Sequence, residues 1–93
     1  MTEYRREMEN GIQTSPRSVR YQVLTSRLEH DGVDYLTYGI QCMGDWEGAW
    51  IQMDAVQDVS FQWENVVRLT DLFNRMQLSP VHFREAVLDC VNA

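Results

Sequence analysis

The dipeptide Asp31-Gly32 constrains this chain more than any other feature, because it predicts a β-hairpin in a single register. Two-residue hairpin loops use type I′ turns, in which both central residues need a positive φ, and Asp-Gly satisfies that need. Apolar and polar residues alternate on both sides of the dipeptide, as in strands with one buried face. With His30 opposite Val33, the two alternating sets coincide on one face, in the pairs Val23–Ile40, Tyr21–Cys42, Thr25–Tyr38 and Arg27–Leu36.

A third strand is predicted after a second turn within residues 44–48. Its apolar positions alternate with more polar ones: Ile51, Met53 and Ala55 against Trp50, Gln52 and Asp54. A four-residue loop, with Met43 opposite Gly48, places Ile51 beside Ile40 on the core face, whereas a five-residue loop would place the polar set there. We therefore expect the four-residue loop or an equivalent bulge.

Two helical patterns follow and meet at Leu78-Ser79-Pro80. Pro80 suits the first position of a helix with Ser79 as its N-cap. The apolar stripe of this last helix comprises Phe83, Ala86, Val87, Cys90 and Val91. The preceding helix is predicted from about Gln62 to Met76, with either Gln62 or Ser60 as N-cap. Its apolar arc is wide enough to contact both the partner helix and a sheet, and comprises Trp63, Val66, Val67, Leu69, Phe73 and Met76.

These elements predict an α+β fold, a three-stranded antiparallel β-meander with two C-terminal helices packed on one face in the order βββαα. The length of 93 residues fits one domain, which we assign to residues 18–93. Residues 1–17 show no periodicity and contain Asn10-Gly11 and Ser15-Pro16, so we expect a flexible tail. The sequence leaves open whether Met1 or Met8 is the start.

The distribution of charge argues against partners with phosphate backbones. The net charge is −6, and residues 21–93 carry four arginines against eleven acids. Such a body repels nucleic acid and anionic membrane surfaces. The chain also lacks an apolar run of about 20 residues that could span a membrane. No hydrophobic segment follows Arg5 and Arg6, so no secretory signal is expected and we predict a cytoplasmic protein.

The residue types that carry chemistry do not form a recognisable site, so we expect no enzyme and no cofactor. His30 and His82 have no histidine or cysteine at metal-ligand spacing, so no metal is expected. Cys42 and Cys90 lie on predicted apolar faces and are expected to be reduced and buried. The acidic groups around Asp54 are expected to be solvated. The second helix lacks the basic residues with which a helix-turn-helix reads DNA.

The sheet face opposite the helices is the remaining candidate site. The predicted register places apolar side chains there that two helices cannot also cover: Leu24, Leu28, Tyr35, Trp50 and Val56. Such a face is either a solvated patch or an interface. We predict an interaction or regulatory module whose partner-binding residues are Tyr35 and Trp50, with Trp46 at the turn, and whose partner is an unknown protein or a second copy. Gly39 interrupts the middle strand and favours a bulge or the close approach of another chain.

Two other functions stay open at this point. One is a small-ligand-binding or catalytic domain, with a pocket between sheet and helices near Tyr38 and His82. The other is an acidic surface that binds a basic protein, which steep loss of binding with salt would reveal.

Several segments resemble a family of short uncharacterised bacterial proteins with a domain of unknown function, found in Gram-positive anaerobes. They are Tyr21-Gln22-Val23-Leu24, His30-Asp31-Gly32, Tyr35-Leu36-Thr37-Tyr38-Gly39-Ile40, and Leu78-Ser79-Pro80-Val81-His82 continuing to Glu85. The resemblance covers about residues 18–91 and implies a bacterial, cytoplasmic origin. Its motifs are turn and packing signals, so it implies no activity.

Overall fold

Three long strands form the sheet on which the molecule is built. In the computed structural model, which describes residues 15–91, these are β1 (Ser18–His30), β2 (Val33–Trp46) and β3 (Ala49–Ser60), antiparallel in the order β1-β2-β3. Helix α1 (Trp63–Met76) follows, then a 3₁₀ turn (Pro80–His82) that leads into α2 (Phe83–Val91). The α+β meander followed by two helices is thus confirmed. The predicted tail of residues 1–17 lies almost wholly outside the described residues.

The first hairpin has the predicted turn and the predicted register. Asp31 and Gly32 have φ values of 53° and 79°, and His30 lies opposite Val33. All four predicted core-face pairs are present, and the pairing continues without irregularity to Ser18 opposite Asp45. Turn chemistry and hydrophobic alternation agreed on one register here, and that agreement made the prediction correct.

The predicted register of the second hairpin is wrong. The turn is the two-residue Glu47-Gly48, with φ values of 55° and 89°, and Trp46 lies opposite Ala49. Ile51 consequently lies opposite Gly44, and Ile40 lies opposite Val56. Gly48 accepts the positive φ of a tight turn, which lengthens both strands. Two irregularities in the pairing, one between Cys42 and Met43 and one between Tyr38 and Ile40, then bring the later part of β3 onto the core.

Gly39 lies where β3 bulges toward β2. A Cβ atom at this position would overlap the carbonyl oxygen of Val56 and lie 2.9 Å from the Cα of Gln57. Asp58, within the bulge, has a left-handed backbone with a φ of 58°. The bulge predicted from Gly39 is therefore present, and the chain that approaches is the protein's own third strand. Gly39 consequently gives no support to an interface.

The core lies between the sheet and the two helices. Its buried members are Tyr21, Ile40, Cys42, Val66, Phe73, Phe83 and Val87. The Tyr21 ring centroid lies 5.3 Å from that of Phe83 and 5.6 Å from that of Phe73, and its hydroxyl donates a 2.7 Å hydrogen bond to the carbonyl of Leu78. Burial raises the pKa of both Tyr21 and Cys42 above their ordinary values, so both stay neutral inside the core.

Helix α1 begins as one of the two alternatives predicted, with Gln62 as N-cap. Its buried stripe is narrower than expected, because only Val66, Thr70 and Phe73 are buried. Trp63 and Met76, predicted to be part of the apolar arc, are 52% and 57% exposed. These two residues occupy the ends of the helix, beyond the side chains that pack on the sheet.

The second helical segment begins with the predicted cap. The Ser79 side chain accepts a hydrogen bond from the Val81 amide and Pro80 occupies the first position, although the first turn is 3₁₀ rather than α. Cys42 is buried as predicted, but the prediction that Cys90 is buried is wrong, since Cys90 is exposed at the last turn of α2. Both cysteines are free. Cys90 borders an open cavity, so no packed layer covers it.

Candidate interaction surface

The face of the sheet opposite the helices is called here the open face. All of the buried apolar core lies on the other side of the sheet, and no described helix packs against the open face. The alternation of the strands places on it Arg20, Gln22, Leu24, Leu28, Tyr35, Thr37, Gln41, Met43, Trp50 and Gln52. Val56 and Asp54, predicted on this face, lie on the helix side instead, because the first bulge of β3, between Gln52 and Asp54, reverses their orientation.

Trp50 lies at one end of the open face, where the guanidinium group of Arg20 stacks on its ring. The guanidinium carbon of Arg20 lies 4.1 Å from the ring centroid of Trp50, and the side chain of Trp50 remains 39% exposed. Beside it, the Gln52 amide donates a 2.9 Å hydrogen bond to Gln41 across the strands. A cation over an indole face contributes about 0.5–1 kcal/mol at an exposed site. The contact also orients the ring before binding, which lowers the entropy cost of using it as an anchor.

Tyr35 lies at the other end of the open face and packs against Phe61. Their ring centroids are 5.6 Å apart, and Phe61 remains 67% exposed. Leu28 lies directly opposite Tyr35 on the neighbouring strand. Phe61 was not identified from the sequence as a member of this surface, because its contact with Tyr35 depends on where the bulged third strand ends.

The three predicted partner-binding residues are not brought together. Trp50 lies opposite Asp45, which is ten positions from Tyr35 along β2, a separation of about 33 Å along the strand at about 3.3 Å per residue. Trp46 lies on the helix side, because its ring covers Gly44, which shares a face with Cys42; a Cβ at Gly44 would lie 2.6 Å from the Trp46 ring. The open face therefore has two aromatic ends rather than one central cluster.

A satisfied polar contact lies beside the Tyr35 end. Thr37 is fully buried although it belongs to the open face, and its hydroxyl lies 2.7 Å from a carboxylate oxygen of Asp58 and 3.3 Å from the carbonyl of Ser60. The carboxylate of Asp58 is thus a partner of Thr37 rather than one of a cluster of free acids. Because a buried hydroxyl with partners costs little, the contact covers the part of the face next to Tyr35 without creating a reactive group.

Two cavities lie on the helix side. The larger, about 480 Å³, is lined by Val59, Ser60, Asn65, Val66, Arg68, Leu69, Leu72, Cys90 and Val91. The smaller, about 410 Å³, lies between the start of β1 and the end of α1. Neither is lined by Tyr38 or His82, the residues around which a pocket was expected. Within residues 15–91 no group of three or more histidine, cysteine or acidic side chains is arranged to hold a metal ion.

Comparison with known proteins identifies the family. The model of a family of unknown function, DUF6514, matches residues 2–93. The chain belongs to this family. The DUF6514 match includes both aromatic ends of the open face and all three strands. No curated protein and no solved structure is significantly similar to the chain. In the described part of this DUF6514 protein, no helix has both the length and the apolar character needed to cross a bilayer. An origin in Gram-positive anaerobes stays a prediction.

One ion pair ties the last helix of the DUF6514 domain to its sheet. Arg84 on α2 contacts the Asp54 carboxylate at 2.6 Å and 2.9 Å, through Nη2 and Nε respectively, and also donates to the carbonyl of Ala55 at 3.1 Å. Hydrogen bonding to Arg84 holds the pKa of Asp54 below its ordinary value. Asp54, expected to be a solvated acid, therefore has a structural partner.

Arg84→Gln should make stability less dependent on pH in acid. The lowered pKa of Asp54 in the folded state contributes stability above the unfolded pKa, and this contribution is lost as pH falls through the folded value. We expect the melting temperature of the variant to lie below that of the wild type at pH 7 and to converge with it as the pH falls well below the ordinary pKa of an aspartate, about 3.9. Thermal unfolding at a series of pH values measures this, with Arg68→Gln as control. A constant difference across that range would contradict it.

Proposed function

We propose that this DUF6514 protein is a small, non-enzymatic interaction module that binds a protein through its open face. The observation that carries the proposal is a sheet that the described residues cover on one side only, with exposed aromatic rings at both ends of the other side. Aromatic side chains held in place by neighbours are the usual anchors of protein interfaces. The partner is either a different protein or a second copy of the chain.

The remaining chemistry of the described residues supports a binding role. The groups with shifted pKa values have structural partners: Tyr21 and Cys42 lie together in the core, and Asp54 is paired with Arg84. The excess of acids favours a protein partner over nucleic acid. Arg20, a cation on this face, already covers the Trp50 ring. The face therefore offers apolar and aromatic contacts with a polar middle.

Trp50→Asp should abolish partner binding and leave the fold intact. The substitution removes an exposed ring and its contact with Arg20, but no buried core side chain. The matched control is Trp63→Asp, because Trp63 is also a half-exposed tryptophan and lies in the helix layer. The measurement is capture from lysate by the tagged wild type, followed by affinity measurement with the purified candidate and by sedimentation of the protein alone.

We expect the affinity to fall at least about 30-fold, since an interface anchor contributes 2 kcal/mol or more. Circular dichroism should show both variants folded. A captured partner protein whose affinity Trp50→Asp leaves unchanged would refute the assignment of this face. Equal loss with Trp63→Asp would place the binding surface elsewhere.

A second candidate function is the binding of a small apolar ligand in the 480 Å³ cavity. Its volume lies within the range of ligand sites, and its apolar wall consists of Val59, Val66, Leu69, Leu72 and Val91. A panel of apolar metabolites should then raise the melting temperature by mass action, and Leu69→Trp, which fills the cavity, should remove the effect. A rise that persists in Leu69→Trp would exclude this cavity as the site.

A further inference from the structure

The backbone of β1 has an outer edge that the sheet does not use. In a two-residue hairpin the flanking pair, here His30 and Val33, exchanges both hydrogen bonds, and bonded and non-bonded pairs then alternate along the strands. The even-numbered residues of β1 therefore bond to β2, while the N–H and C=O groups of the odd-numbered residues point outward. Within residues 15–91 no partner is seen for the outward backbone groups of Val23, Thr25, Arg27 and Glu29.

Asn74 confirms this orientation and sets one limit of the open edge. Its carboxamide oxygen accepts a hydrogen bond from the Tyr21 amide at 2.8 Å, and its nitrogen donates to the Tyr21 carbonyl at 2.9 Å. The side chain of a helix residue thus occupies the place that a neighbouring strand would take. The turn at Asp31-Gly32 sets the other limit. The free segment is residues 22–30.

The opposite edge of the sheet is unsuited to pairing. β3 carries two register irregularities and a left-handed residue, Asp58, within its length. Bulges twist an edge and break the regular spacing that a new strand would need. β1 pairs with β2 over its whole length without any irregularity. A regular edge on one side and a bulged edge on the other direct association to β1 alone, which favours a closed dimer over an open fibre.

We propose that two copies of this chain associate by antiparallel pairing of their β1 edges about a twofold axis at Ser26. Ser26 is the midpoint of the free segment, so this register uses all four outward residues of each strand and forms eight hydrogen bonds. The inference goes beyond the proposed function, because it places a second copy at the edge of the sheet and leaves the open face for another protein. Main-chain pairing at a sheet edge is an established mode of protein recognition.

The side chains around Ser26 fit the same register. The segment Leu24-Thr25-Ser26-Arg27-Leu28 has a leucine two positions on either side of Ser26, so each leucine lies opposite the other leucine of the second copy, on the open face. Arg27 comes opposite Thr25 of the second copy. Its charge is already accompanied by that of Asp34, whose carboxylate lies 3.8 Å away on the neighbouring strand. The pairing would also join the open faces of the two copies into one surface.

Cross-linking tests the register directly. Ser26→Cys in a Cys90→Ser background places two thiols across the axis, where Cα atoms of a non-hydrogen-bonded pair are about 4.5 Å apart and a disulfide fits. Thr25→Cys in the same background is the control, because its two copies would be about 7–8 Å apart and cannot be bridged. Full-length protein oxidised near 100 μM should give a covalent dimer with Ser26→Cys alone. Equal or greater yield with Thr25→Cys overturns the register.

Thr25→Pro tests the edge without disturbing the sheet. The amide of residue 25 points outward, so proline there removes no bond to β2, and by symmetry it removes two bonds of the dimer. We expect the dimer dissociation constant from sedimentation to rise more than tenfold. Should the variant misfold, amide exchange of the wild type decides the matter: residues 23, 25, 27 and 29 should gain protection as concentration rises. Protection that is independent of concentration in a monomer overturns the proposal.

The outcomes separate this inference from the proposed function. A dimer lost with Trp50→Asp but kept with Thr25→Pro overturns edge pairing and keeps the open face as an interface. A protein that stays monomeric but captures another protein through Trp50 likewise overturns edge pairing and keeps the open face as an interface. A dimer lost with Thr25→Pro and cross-linked by Ser26→Cys supports edge pairing. If the wild type neither self-associates nor captures another protein, both proposals are overturned.

Discussion

Phe83→Ala lowers the free energy of unfolding by about 4 kcal/mol, the largest effect that we expect of a single substitution here. Phe83 is fully buried, and its ring centroid lies 5.3 Å from Tyr21 and 6.4 Å from Phe73. Removing the ring leaves a void among the buried side chains through which α2 packs on the sheet and on α1. Because a small domain has a total stability of roughly 5–15 kcal/mol, such a loss brings this one close to unfolding.

Phe61→Ala is the matched control for that experiment. Phe61 is 67% exposed and contacts Tyr35 on the open face rather than the core. We expect less than about 1 kcal/mol from this substitution, measured like Phe83→Ala by urea unfolding followed by circular dichroism. Comparable losses in the two variants would show that the core is not centred on the contacts of Tyr21, Phe73 and Phe83.

Gly39→Ala destabilises the protein by about 3 kcal/mol, although the change adds only a methyl group. The new Cβ would overlap the backbone carbonyl oxygen of Val56, which the bulge of β3 holds against β2. A backbone atom cannot move aside without displacing the strand. The usual gain from replacing a glycine within a strand, about 0.5–1 kcal/mol, is therefore outweighed.

Gly44→Ala separates this cause from a general intolerance of the strand. A Cβ at Gly44 would lie 2.6 Å from the Trp46 ring and 2.8 Å from the sulfur of Met53, and both neighbours are side chains that can rotate. We expect a loss of about 1 kcal/mol or less, which corresponds to a fall in melting temperature of about 4–8 °C or less. If Gly44→Ala proves the more damaging variant, the close approach of β3 at Gly39 is not the constraint.

The two hairpins show which features of a sheet can be predicted from a sequence. Asp31-Gly32 specified its own register, because the turn type and the alternation of Tyr21 and Val23 pointed to the same pairing. Glu47-Gly48 formed an equally tight turn, yet Glu47 is an uncommon residue for positive φ and gave no signal. The glycine at position 39 did indicate a bulge, but not which residues of β3 would form it.

The candidate surface was predicted in outline only. The open face could be predicted from the number of elements, because two helices can cover only one side of a three-stranded sheet. Tyr35 and Trp50 lie on that face as predicted. Trp46 lies on the helix side, and Phe61 was missed. Both positions depend on the register of β3. The outward edge of β1 was not considered from the sequence, although the position of the first turn already fixes which of its amides point outward.

The sequence by itself determined the element order, the first hairpin and the residues of the central core, because these depend on local turn chemistry and on periodicity within each element. Tertiary structure alone decided the bulges of β3, the contact of Asn74 with the edge of β1, the pairing of Asp54 with Arg84 and the exposure of Cys90. Each of these depends on which distant segments meet. That is set by the packing of whole layers, and no short stretch of residues encodes it.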